Sequence, residues 1–163
     1  MEPTTLRSPT PGVIQLKKIL VPVDFSGPSD QAVRYAARLA QHFGSEITLL
    51  HIVRKMSVAP FPEVPPYLDD IEEDFENAEK ALQTLAEQQT LKSSAIHTVM
   101  RTGLAAHEIV ETARDLDSDL IVIATHGYTG WKHLCIGSTA ERVVRTAPCP
   151  VFVVRENQHE LFS

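Results

Sequence analysis

"LIVIATHGYTGWKHLCIGSTAERVVRTAPCPVFVV", residues 120–154, decides how this chain folds. It opens on an apolar run, Leu120 to Ala124, unbroken by polar residues, as expected for a strand covered on both faces. It closes on a second such run, Val151 to Val154. Between them lie a long glycine-containing connection and a helical segment, "GSTAERVVRTA". The pattern predicts a strand, a helix and a strand in succession.

The rest of the chain repeats this alternation. "KKILVPVDFS" reads as a buried first strand. In "GPSDQAVRYAARLAQHFG", Val33, Ala36, Ala37 and Ala40 fall at helical spacing, with Ser29 or Asp30 as the expected cap and Gly44 as the stop. "SEITLLHIV" is the second strand. Leu68, Ile71, Phe75, Ala78, Leu82 and Leu85 step by three and four along a long helix. "AIHTVMR" is half polar, which suits an edge strand, and Ala106, Ile109, Val110 and Ala113 mark the third helix. Strands alternating with helices predict one parallel sheet with helices on both faces. The expected fold is a single doubly wound, Rossmann-like α/β domain of five strands in the order 3-2-1-4-5. Residues 1–15 read as a flexible arm, 16–156 as the domain and 157–163 as a tail.

At 163 residues the chain can bury about two-thirds of its unfolded surface without disulfides or a structural metal. The formal charge of -6 argues against general affinity for nucleic acid or anionic membranes. It leaves room for one anionic ligand held by local groups. Cys135 and Cys149 form no framework, and the N-terminus lacks the apolar core of a signal peptide. No stretch approaches the roughly 20 apolar residues of a membrane span. These features predict a cytoplasmic protein.

Open parallel sheets bind ligands beyond the carboxyl ends of their strands, where strand order reverses. In the order 3-2-1-4-5, "PVDFS" after the first strand and the connection after the fourth meet at that point. Gly127 and Gly130 permit positive φ and a close backbone approach to a ligand. Gly137, Ser138 and Thr139 open a helix, where unpaired N–H groups and the dipole favour an anion. No lysine precedes Ser138, so this is not a P-loop, and Lys132 can swing toward phosphate or solvent. The proline-rich 54–67 segment follows the second strand on the same edge and is expected to flank the pocket as a flap.

Three segments carry a resemblance to the universal stress protein family: "ILVPVDFS", "RTGLAAHEI" and "IVIATHGYTGWKHLCIGSTAERVVRTAPCPVFVV". The likeness runs from about Lys17 to Arg155. Nucleotide-binding members share a glycine, two residues, a glycine, nine residues, then glycine with Ser or Thr. Gly127, the nine residues Tyr128 to Ile136 and Gly137-Ser138 match, and Ala124 stands where the first glycine would be. The resemblance implies ATP, with Mg²⁺ as its companion, held in a small cytoplasmic regulatory dimer without efficient catalysis. It implies that Asp24 lies near ribose or metal-linked phosphate, with Pro22 and Val23 at the base and Ile52 beside adenine. It places Ala124, Thr125, His126 and Gly127, with Gly137 to Thr139, around ribose and phosphates.

Each of these has a plainer alternative. Asp24 also suits a turn or cap after a strand, and His126 also suits a solvent-facing loop. His51, on a buried strand, reads as a satisfied core histidine. Asp24, His51, His126 and His133 are zinc-ligand types without zinc spacing. Cys135 is a candidate redox sensor or a small apolar filler, and Trp131 either covers the site or packs on a helix. Adenylate transfer would need a His-x-Gly-His or Ser-Gly-Gly-x-Asp-Ser loop, and neither occurs. A phosphorylated receiver would need a lysine after the fifth strand, which "CPVFVVRE" lacks. A protein-interaction module with an empty pocket, or a slow ATPase, is the remaining alternative. Finally, "VFVV" is an apolar edge strand, and such edges are normally covered. Val151, Phe152, Val153 and Val154 are expected to pair with a second copy across a two-fold axis, or to lie under the tail "NQHELFS".

Overall fold

The computed structural model describes residues 15–54, 68–88, 95–125 and 137–155. Five strands form one sheet: β1 (Lys18–Val23), β2 (Glu46–Val53), β3 (Ile96–Thr102), β4 (Leu120–Ala124) and β5 (Val151–Val154). Their order is β3-β2-β1-β4-β5. All four pairings are parallel. Four helices connect them: α1 (Gly27–Phe43), α2 (Leu68–Gln88), α3 (Ala105–Asp115) and α4 (Ser138–Thr146). The expected doubly wound topology is the observed one.

The unbroken apolar strands resolve into two alternating sets, because successive side chains point to opposite faces. Ile19, Val21, Val23, Ile47, Leu49 and Val122 join α1 and Leu82 of α2 in one core. Leu20, Leu50, Ile121 and Ile123 join Ile109, Val110 and Ala113 of α3 and Ala140 and Val143 of α4 in the other. Each fully buried Leu or Ile contributes about 1.5–3 kcal/mol relative to exposure. Leaving either face of β1 uncovered would therefore be costly. β3 shows the half-polar exposure expected of an edge, and β5 lies at the opposite edge. The Phe152 ring of β5 rests 5.9 Å from Tyr35 of α1.

The cap of α1 lies upstream of the expected Ser29 or Asp30. Ser26 is the cap, and its hydroxyl accepts from the Ser29 N–H at 3.3 Å. Pro28 explains the shift: its fixed φ and missing N–H suit the first helical turn. Ser29 is instead inside the helix, donating its hydroxyl to the Ser26 carbonyl at 2.9 Å. The stop at Gly44 is as expected, with φ of 70° and its N–H on the Ala40 carbonyl. The predicted 54–67 flap lies outside the described residues except for Arg54.

Candidate functional site

β1 is the central strand, and the chain leaves it through a tight turn. The Asp24 carboxylate accepts from the Ser26 N–H at 3.1 Å and from the Ser26 hydroxyl at 2.5 Å. Phe25, with φ of 60°, is held left-handed between them. Asp24 therefore fills the plainer role of a turn residue, orienting the hydroxyl that caps α1. It also lines a cavity of about 460 Å³ beyond the strand tips. The two roles coexist.

Beside it, His51 of β2 pairs in register with Val23. Its Nδ1 lies 2.7 Å from the Val23 carbonyl oxygen, an acceptor, so Nδ1 carries the proton. The ring stacks at a tilt on Phe25, centroids 4.6 Å apart. His51 is satisfied as expected, yet it too lines the cavity.

On the other side of β1, Thr125 follows β4. Its N–H donates to the Val154 carbonyl at 2.9 Å, and its own carbonyl accepts the Gly137 N–H at 2.7 Å. Gly137 is the cap residue of α4, and among the described residues no side chain caps that helix. The amides of the first turn, with the hydroxyls of Ser138 and Thr139, stand at the cavity wall. Gly137 has φ of -59°, which any residue could adopt, so conformational freedom is not why glycine suits this position. A Cβ there would lie 2.8 Å from the Thr125 carbonyl oxygen. The close approach of α4 to the strand tip needs the missing side chain.

Of the residues expected at the site, Pro22, Val23, Asp24, Ile52, Ala124, Thr125, Gly137, Ser138 and Thr139 line one cavity. Its volume lies within the range of small-molecule sites. His126, Gly127, Gly130, Trp131, Lys132, His133 and Cys135 lie outside the described residues. Sequence reasoning missed Arg54, Ala105 and Ile109 as wall residues. Arg54 carried a usable signal, being the first residue beyond β2 on the carboxyl edge. Ala105 and Ile109 carried none, because their place depends on how α3 crosses the sheet.

Among the described residues no three His, Cys, Asp or Glu side chains gather as a metal site. A lone carboxylate such as Asp24 suits Mg²⁺ only beside phosphate oxygens and water, the manner in which that ion is usually held. No helix among the described residues is long and apolar enough to cross a membrane.

Comparison with known proteins agrees with this architecture. The model of the universal stress protein family matches residues 15–155. This chain belongs to the universal stress protein family. A family member from Methanocaldococcus jannaschii is 37% identical over 150 residues, spanning 88% of this chain and 85% of the relative. The solved universal stress protein UspA from Lactobacillus plantarum superposes with a TM-score of 0.79 at 29% identity, over 88% of this chain and all (100%) of the other. A universal stress protein from Archaeoglobus fulgidus, solved in complex with dAMP, shares the fold at 22% identity and a TM-score of 0.56, over 86% and 99% of the two chains.

Proposed function

We propose that this protein binds an adenine nucleotide, ATP with Mg²⁺ foremost, as a regulatory stress protein rather than an efficient enzyme. The observation that carries the reading is the start of α4, pressed against the β4 tip through Gly137 and without a side-chain cap among the described residues. Amides that point at a cavity without an internal partner are a site for phosphate. The cavity wall also carries the aliphatic side chains of Ile52, Ala105 and Ile109, a surface that suits a base. The dAMP complex of the Archaeoglobus fulgidus relative supports the same ligand class.

Asp24, held by Ser26, faces the middle of such a ligand, where ribose hydroxyls or a phosphate-bound Mg²⁺ would lie. Pro22 and Val23 form the floor, and Ala124 and Thr125 the wall leading to α4. His51 commits its proton to Val23, and Ser29 commits its hydroxyl to Ser26. Neither forms a nucleophile–base pair, which favours holding the nucleotide over turning it over. The apolar β5 edge supports a homodimer in which Val151 to Val154 pair with a second copy antiparallel.

Mass spectrometry of the nucleotide released from purified protein, followed by calorimetry with ATP, tests the reading. Bound adenine nucleotide with a micromolar or tighter affinity is expected. A wild-type protein that neither carries nor takes up any nucleotide would leave the pocket to a protein-interaction module.

A further inference from the structure

We infer that Arg54 is the recognition residue for the aromatic end of the pocket's ligand, its guanidinium plane lying against the base. The inference rests on the nucleotide reading above and goes beyond it, because Arg54 was not among the residues predicted for the site.

Arg54 is the first residue after β2 and lines the cavity. Among the described residues no ion pair or hydrogen bond engages its side chain. β2 and β4 flank β1 on opposite sides. The β2 tip therefore stands two strand spacings, about 9–10 Å, from the β4 tip to which Gly137 is bonded. A phosphate seated on the α4 amides is too far from that end to be the natural partner of Arg54. The separation instead matches the reach of a nucleotide from phosphate to base.

The chemistry around Arg54 narrows the occupant further. Ile52, Ala105 and Ile109 line the same cavity with hydrocarbon, and among the described lining residues Arg54 alone is a lysine or arginine. A phosphate or a sugar would lose hydration against those side chains without compensation. A flat ring meets both surfaces, with one face on hydrocarbon and the other under the guanidinium. Arginine is suited to this because its cation is planar, delocalised and weakly hydrated, and stacks on aromatic faces. Stacking of this kind tolerates any base, since every base has a π face. Arg54 therefore strengthens binding of purine nucleosides generally and does not distinguish adenine from guanine.

The test is calorimetry of adenosine, AMP, ATP and guanosine on the wild type, Arg54→Ala and Arg54→Lys. Arg54→Ala is expected to weaken all four by a similar factor, about two- to thirty-fold, the span of cation–π contacts from exposed to desolvated sites. Arg54→Lys is expected to recover little of that loss, because the charge returns without the plane. Unchanged thermal melting of both variants would establish that the fold is intact. Loss of ATP affinity alone, with adenosine unaffected and Arg54→Lys fully restoring, would assign Arg54 to phosphate and overturn the inference. Equal affinities in all three proteins would overturn it as well, while leaving the nucleotide reading standing. A wild type that binds none of the four ligands would overturn both.

Discussion

Substituting Gly137 probes the pocket wall where α4 meets the β4 tip. A methyl group there would sit 2.8 Å from the Thr125 carbonyl oxygen. Ordinary carbon–oxygen contacts require roughly half an ångström more, so α4 or the β4 tip must move. The Gly137 N–H bond to that same oxygen, 2.7 Å long, would stretch or break. Loss of one buried neutral hydrogen bond costs about 0.5–1.5 kcal/mol. A poor cap residue adds up to a similar amount, so Gly137→Ala is expected to lose about 1–2 kcal/mol of stability. For a domain of this size that lowers the melting temperature by about 2–8 °C. The first-turn amides would be displaced with the helix. If one charge-assisted bond to phosphate is lost, worth about 1.5–3 kcal/mol, ATP affinity falls about ten- to hundred-fold. Gly137→Val, with a branched side chain, should lose at least as much. Thermal melting by circular dichroism and calorimetry with ATP read the two effects separately. An alanine variant with wild-type melting and wild-type ATP affinity would refute the claim that glycine is needed for close approach.

Thr112 of α3 is buried, and its hydroxyl lacks a hydrogen-bond partner among the described residues. Thr112→Val keeps the shape and removes the unsatisfied group, so urea unfolding should show a gain of about 1 kcal/mol, and a loss would contradict the packing described. Val153→Lys puts a charge on the β5 edge; light scattering is expected to give a dimer for the wild type and a monomer for the variant, and a wild-type monomer at micromolar concentration would remove the proposed dimer. Burial, and secondly the charge of Asp119, push the Cys149 thiol above its ordinary range. Native protein at pH 8 should therefore alkylate at Cys149 more slowly than unfolded protein, with the rate rising only at higher pH; peptide mapping separates it from Cys135, and equal rates would contradict the burial.

The fold was legible because each strand declared itself twice, by unbroken apolar character and by the helix that follows. Runs such as "ILV" and "LIVIA" could be no other element once they were flanked by helical spacing. The half-polar "AIHTVMR" likewise announced an edge through its composition. The start of α1 was less legible, since Ser26, Ser29 and Asp30 are all capping types. Pro28 was the discriminating signal, and its preference for the first turn points to Ser26. The pocket was readable where it is made of strand tips and a helix start, because the sheet order brings those together. Ala105 and Ile109 were not readable, because their exposure to the cavity depends on the crossing of α3. His51 shows a different limit: a residue satisfied within the core can still present an edge to a ligand.

Thr125 is a buried residue whose single peptide neighbourhood reaches in two directions. One bond runs to the last residue of β5, and the other comes from the residue that starts α4. The cavity wall and the sheet edge are therefore not separable parts of the molecule but two ends of one short covalent and hydrogen-bonded relay. A shift imposed at either end must be absorbed or passed on by Thr125, because a buried amide has no water to turn to. Should assembly through β5 alter nucleotide affinity by some factor, reciprocity of linked equilibria requires nucleotide to alter assembly by the same factor. The molecule would then report occupancy of its pocket as a change in its own concentration of pairs.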